Sequence, residues 1–292
     1  MKFARILYYI LAVCSLAVSG YTVYHTTVTG ENLLYAIVFS ALLLVMAAVG
    51  FVRIKSTPEN AGKIAAFSSF IGVFTYFNLQ IMSRVKIPNN YSFVLRNEAH
   101  ILAKYLFFAA IVFAAVMTVI AMAVSKKHSD LVPCKHVRTA GLFAIMICAI
   151  YLLALTVLSV IAIVVFANIS GGVIYNTFLI IVIAVSLAVT VALTVFALKT
   201  SSLSVITANA SLMALICAIL YDGTVYTIYS AFFSAWKTFE YDPGSIVKNI
   251  LTVSLLVIEV LVCAYAITSA LVTSKEHTAV GENTDLPPIE AE

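Results

Sequence analysis

With 292 residues, 63% of them hydrophobic and only 10% charged, the chain has too little polar surface to enclose a soluble core, whose charged share would be nearer a quarter. The net charge of +4 is spread over short connections, which excludes a basic nucleic-acid surface and reads instead as membrane topology. The composition predicts an all-α polytopic integral membrane protein whose first partner is the lipid bilayer, with no nucleic acid.

A spanning helix needs about 20 apolar residues, and eight runs meet that length. After the basic start Met1 to Arg5, the first runs to about Tyr24 and is followed by the polar turn His25 to Glu31. Its Leu11-Ala12-Val13-Cys14 echoes a lipoprotein cleavage site, but the residue before the cysteine is of the wrong kind and the apolar run continues. A retained anchor is therefore expected, with a cleaved signal as the alternative. The second run covers Leu33 to Val52, and Arg53 to Lys63 is a loop marked by Pro58 and Gly62. The third, Ile64 to Ser83, is the most polar of the first half, with Ser68, Ser69, Thr75, Asn78 and Gln80. A longer loop, Arg84 to His100, leads to the fourth, Ile101 to Val124.

The most basic connection, Ser125 to Arg138, is the natural boundary between a first half, residues 1–135, and a second half, residues 136–273. The fifth run covers Ala140 to Ala167, the sixth Val173 to Leu198, and the seventh Leu203 to Tyr221, with Thr207, Asn209 and Ser211 inside the span. The longest loop, Asp222 to Lys248, precedes the eighth run, Ile250 to Val272. The polar tail, residues 274–292, carries Pro287-Pro288 and four glutamates and is expected to be disordered.

Four helices, a basic boundary and four more helices are the layout of two parallel repeats. Phe51-Val52-Arg53-Ile54-Lys55-Ser56 resembles Phe196-Ala197-Leu198-Lys199-Thr200-Ser201, but such echoes sit where helices leave the membrane and Ser, Thr and Lys are expected anyway. The repeat and a chance likeness both stay open. Eleven of the seventeen lysines and arginines fall on one side if the N-terminus is cytoplasmic, so both termini are expected in the cytoplasm, across the plasma membrane.

Few residues in these spans carry chemistry. Glu259 lies near the middle of the last run, where a charge costs about 3 kcal/mol on insertion scales and normally faces protein or a wet cavity. On a helical wheel it shares a face with Thr252, Cys263, Ala266 and Ala270, small or weakly polar residues that let helices approach. It is the candidate ion or proton site; the bland reading is a neutral carboxyl bonded to another helix. Asn78 and Gln80 in the third helix and Asp222 after the seventh, with Tyr76 and Tyr221 beside them, form a candidate outer polar cluster. Tyr226, Tyr229, Phe232, Phe233 and Trp236 fall on one side of a wheel over Val225 to Phe239, the pattern of an interfacial helix lying flat at the outer surface before the last span.

None of the six prolines falls inside a span, and Gly72 is the only glycine well within one, so the broken helices that transporters use to bind substrate are not signalled. The five histidines lie in loops or at helix ends, and the five cysteines form neither a disulfide nor a zinc pattern, so no metal or cofactor is expected. Without a nucleophile or metalloprotease motif, an enzyme finds no support. The sequence favours a non-enzymatic subunit or scaffold that packs with another membrane protein or with copies of itself. The competing expectation is a small-solute or ion transporter or channel that uses Glu259 inside the helix bundle.

Overall fold

The computed structural model describes residues 1–29, 33–84, 93–125, 135–166, 172–235 and 243–284. They form eight α-helices and one short 3-10 turn, Pro58–Asn60: α1 Lys2–Thr29, α2 Leu33–Arg53, α3 Ala61–Arg84, α4 Phe93–Ser125, α5 Lys135–Phe166, α6 Gly172–Lys199, α7 Leu203–Ala235 and α8 Pro243–Thr284. All eight are long and apolar enough to cross a membrane. The protein is an all-helical integral membrane protein.

In a bilayer, lipid tails are as apolar as leucine, so burial of apolar surface does not choose which helix goes inside. Polar side chains choose, because each one facing hydrocarbon lacks a hydrogen-bond partner. The two enclosed helices carry buried polar side chains along their spans: Ser68, Ser69, Thr75 and Asn78 in α3, and Thr207, Asn209, Ser211 and Thr224 in α7. In α3, 94% of the apolar window is buried, and in α7, 83%. They pack against each other at the centre, with α1, α2 and α4 around α3, and α5, α6 and α8 around α7. Val112 and Val116 of α4, Ile150 and Leu153 of α5, and Val185 and Val191 of α6 point outward as the lipid-facing surface.

Small residues set how closely the central pair meets. Gly62 of α3 lies directly on the backbone of Ser204 in α7, where a β-carbon would collide. A β-carbon on Gly72 would come within 3.1 Å of Ala110 in α4 and 3.3 Å of Leu215 in α7. These contacts fix α3 and α7 as parallel neighbours. Above them Phe67, Phe70 and Phe74 fill the interior, and Phe39 of α2 stacks on Phe77 with ring centres 4.5 Å apart.

Several boundaries differ from expectation: α4 begins at Phe93 and α5 at Lys135, inside the segments expected as the loops Arg84 to His100 and Ser125 to Arg138, and α1, α7 and α8 also run past their expected ends. Helix α1 continues through the expected turn to Thr29, because Thr22, Thr26 and Thr29 donate their hydroxyls to carbonyls within the helix and His25 is buried. Helix α7 does not stop at Tyr221. Thr224 is buried and its hydroxyl meets that of Ser159 in α5 at 2.8 Å, so tertiary contact carries the helix through Asp222-Gly223 to Ala235. The segment expected as a separate interfacial helix is thus, over residues 225–235, the end of α7. Tyr226, Tyr229, Phe232 and Phe233 belong to that extension, while Trp236 lies outside the described residues. Helix α8 starts at Pro243, a residue suited to a first helical position because its missing N–H would be unpaired there anyway. It runs on to Thr284 through residues expected to be disordered, since no proline interrupts it before Pro287. Residues 285–292 lie outside the described residues.

Candidate functional site

Glu259 sits halfway along the membrane-spanning part of α8 and is 1% exposed. The face expected from the wheel is the buried face: Cys263, Ala266 and Ala270 are enclosed, while Thr252, two turns before Glu259, reaches the rim. Around the carboxylate, Tyr151 of α5 and Cys217 of α7 are close enough to interact with it electrostatically, as is Cys263 one turn further along α8. Cys263 in turn places its sulfur 3.2 Å from that of Met46 in α2. Cys217 donates to the backbone oxygen of Cys148 at 3.7 Å.

Neither oxygen of Glu259 has a hydrogen-bond partner, and no described basic side chain acts on it. That is the unusual feature of the bundle. A buried acceptor left without a donor costs about 1–3 kcal/mol, and a charged one more. Other orphaned polar atoms share the interior: the hydroxyls of Ser15, Ser68, Thr75, Thr190 and Ser211 and the amide oxygens of Asn78 and Asn209. Five of these seven residues belong to the central pair, α3 and α7.

Hydrogen bonds clamp α7 against α8 on both sides of the carboxylate. Toward the end of the bundle where α3 finishes, the Tyr221 hydroxyl bonds that of Thr252, which itself donates to the Lys248 carbonyl at 2.7 Å. Tyr151 donates to the Leu251 carbonyl at 2.9 Å on the same level. Toward the opposite end, Thr207 meets Ser269 at 2.7 Å and Tyr265 at 3.3 Å. Because α7 and α8 run antiparallel, these two clamps set the register that brings Cys217 within one helical turn of the level of Glu259.

The candidate outer cluster is divided by helical geometry. Residues 76 and 80 are one turn apart and share a face, while residue 78 points away from both. Gln80 donates to the Tyr76 hydroxyl at 3.1 Å, and that hydroxyl bonds the carboxylate of Asp222 across the α3–α7 contact. Gln80 and Asp222 therefore meet through Tyr76, with Tyr221 nearby. Asn78 instead turns to α1, donating to the Phe74 carbonyl at 2.9 Å and to the Ser19 hydroxyl at 3.4 Å.

Sequence reasoning missed the partners of Glu259, Tyr151 and Cys217, which nothing local marks. It also missed a polar seam on α1, where Ser15, Ser19, Thr22 and Thr26 are all buried. That signal was available: hydroxyls spaced four, three and four residues apart define one helical face. Cys14, Cys148, Cys217 and Cys263 have free thiols, and no three His, Cys, Asp or Glu side chains among the described residues converge as a metal site. Comparison of the chain with protein-family models, with curated proteins and with solved structures finds no match.

Proposed function

We propose that this protein is an ion transporter or channel of the membrane in which Glu259 binds the ion inside the bundle. The observation that carries the reading is the carboxylate itself, buried at the middle of a spanning helix with both oxygens unpartnered. A packing residue would be bonded to a neighbour, and Glu259 is not. Its oxygens lack partners, it lies near the enclosed helix α7 through Cys217, and hydrogen-bonded clamps lie on either side of it. An ion that visits from one side at a time needs such an arrangement: a site of high cost when empty, closed by contacts that can open separately.

The two halves support the same reading as parallel repeats. In each, the third helix is the hub that the other three touch, and the hubs meet at the centre. Equivalent halves around a central site are a common architecture for moving one repeat against the other. The basic residues favour cytoplasmic termini in a plasma membrane, which puts the Tyr76–Asp222 contact on the outer side.

A second reading, a subunit or scaffold for another membrane protein or for a second copy, is favoured by α6. Among the described residues, 22% of its apolar window is buried and its main contacts are with α5 and α7, so most of that window is open to a neighbouring helix.

The test is ion flux into liposomes carrying the purified protein, wild type beside Glu259→Gln. Flux that disappears in the variant while the fold persists supports transport. Equal flux in both proteins, or none in either, removes Glu259 from any ion path and leaves the scaffold reading.

A further inference from the structure

One turn along α8 from the unpartnered carboxylate, the bundle holds a second unusual contact. The Cys263 thiol points at the thioether of Met46 in α2, sulfur to sulfur at 3.2 Å, and both residues are buried. Cys263 follows Glu259 by four residues, so the two side chains lie one above the other on one helix face, about 5–6 Å apart at Cβ. Both are enclosed on that face, and neither oxygen of Glu259 has a partner. Met46 is held in place from α1, where the Tyr8 hydroxyl donates to the Met46 carbonyl at 3.3 Å. The polar groups around them are committed elsewhere. Tyr151 donates its hydroxyl to the Leu251 carbonyl at 2.9 Å, and Cys217 its thiol to the Cys148 carbonyl at 3.7 Å. The donors left to hold a ligand here are one carboxylate and two sulfurs.

We propose that the ion is a soft monovalent metal cation, copper(I), held by the sulfurs of Cys263 and Met46 together with the carboxylate of Glu259. The inference rests on the ion-binding reading of Glu259 and names the ion. Donor chemistry makes the choice. Hard cations gather several oxygens around them, and this site offers those of a single side chain. Structural zinc takes four ligands, and no three His, Cys, Asp or Glu side chains converge among the described residues. Cysteine and methionine sulfur select copper(I), which is satisfied by two or three ligands. Coordination shares lone pairs only: the metal enters and leaves in the +1 state, and no electron is transferred. Its single positive charge offsets the single negative charge of the thiol–carboxylate pair, whose one proton stays within the pair. The filled site is neutral, and the cost of the unpartnered carboxylate is removed.

The geometry allows the ion in and gives it a way out. With metal–sulfur bonds of about 2.3 Å, two sulfurs on one ion stand at most about 4.6 Å apart, so the pair opens by about 1.4 Å or less from its present 3.2 Å. Methionine suits that adjustment, because its thioether turns on three rotatable bonds. Met46 belongs to the first four helices, and Cys263 and Glu259 to the last four, so the site is complete only where α2 meets α8. Movement of one half against the other draws the two sulfurs apart. A two-sulfur site then becomes a one-sulfur site, which lets the ion go.

The experiment is calorimetric binding of silver(I), which takes the same sulfur donors and does not oxidise in air, to the detergent-solubilised full chain in chloride-free buffer. Wild type is measured beside a background variant with Cys14→Ser and Cys134→Ser, in which three of the five cysteines remain, all of them buried: Cys148, Cys217 and Cys263. Into that background go Met46→Leu, Cys263→Ser, Glu259→Gln and the pair Cys148→Ser with Cys217→Ser, with thermal unfolding followed on each. The expected result is one silver ion per chain, bound at least tenfold more weakly in Met46→Leu and Glu259→Gln, lost in Cys263→Ser and kept in the Cys148–Cys217 pair variant. Met46→Leu conserves volume, so it keeps the test decisive even where a serine at position 263 impairs folding. Undiminished binding in Met46→Leu and Cys263→Ser, lost in the pair variant, would place the metal on Cys148 and Cys217 and overturn the site. No binding of silver(I) or copper(I), with sodium, potassium or proton flux lost in Glu259→Gln, would overturn the choice of ion and leave the ion-binding reading standing. No binding and no flux of any ion in the wild type would overturn both.

Discussion

Replacing Glu259 by methionine should make the protein more stable while abolishing transport. The side chains are alike in length, but methionine brings no polar oxygen into a site where both carboxylate oxygens lack partners. A buried polar group without a hydrogen bond costs about 1–3 kcal/mol, and at roughly 2 °C per kcal/mol for a chain of this size the melting temperature should rise by about 2–6 °C. Glu259→Gln should stay within about 1 kcal/mol of wild type, because the amide keeps one unpaired acceptor and adds two unpaired donors. The assay can use the protein's own thiols: Cys148, Cys217 and Cys263 are buried, so a thiol-reactive fluorophore added to detergent-solubilised protein reports unfolding as they emerge. A fall of several degrees in Glu259→Met would refute the reasoning, since it would mean that the carboxylate is bonded and holds helices together. A gain in stability at the expense of function is what a site kept for its chemistry should show.

Four further substitutions probe the fold. Gly62→Ala would drive a β-carbon into the Ser204 backbone at the α3–α7 contact, and the cost should be about 1–3 kcal/mol, read as a lower melting temperature; Gly20→Ala, with open space around it, should be neutral or slightly stabilising. Asn78→Leu removes the bond to α1 but leaves Ser19 paired with Ser40, so it should cost no more than about 1 kcal/mol and leave flux intact. Thr207→Val breaks the clamp to Ser269 and Tyr265 on the side of Glu259 away from Asp222, and should destabilise by about 1 kcal/mol and raise passive proton leak in the same liposome assay.

The spans were legible because a run of some 20 apolar residues has few other uses, and the eight runs read from the chain are the eight helices found. Their ends were less legible. The extension of α7 past Asp222-Gly223 depends on Thr224 meeting Ser159, a contact 65 residues away in sequence that no local pattern announces. The enclosed position of α3 goes with the lowest mean hydropathy of the eight spans, 1.4, a signal the sequence carries; that of α7, at 2.2, has no such mark. Glu259 could be singled out from one residue because a mid-span charge has no cheap explanation. Its neighbours could not: Tyr151 and Cys217 come from two other helices, and only the register set by Tyr221–Thr252 and Thr207–Ser269 brings them to its level. Grouping Asn78 with Gln80 followed sequence proximity, whereas a helix turns residue 78 to the opposite side from residues 76 and 80.

The central claim is that Glu259 exchanges an ion inside the folded bundle, and for a carboxylate the exchange that can be read directly is that of a proton. Infrared difference spectroscopy on the reconstituted protein tests it directly, with the carbonyl stretch of a buried carboxylic acid identified by its absence in Glu259→Gln. The account predicts a band that appears and vanishes as pH is cycled, with the helical amide signal unchanged. A Glu259 band that stays constant across the whole pH range over which the protein remains folded would contradict it, and would make the carboxyl a permanent neutral part of the core.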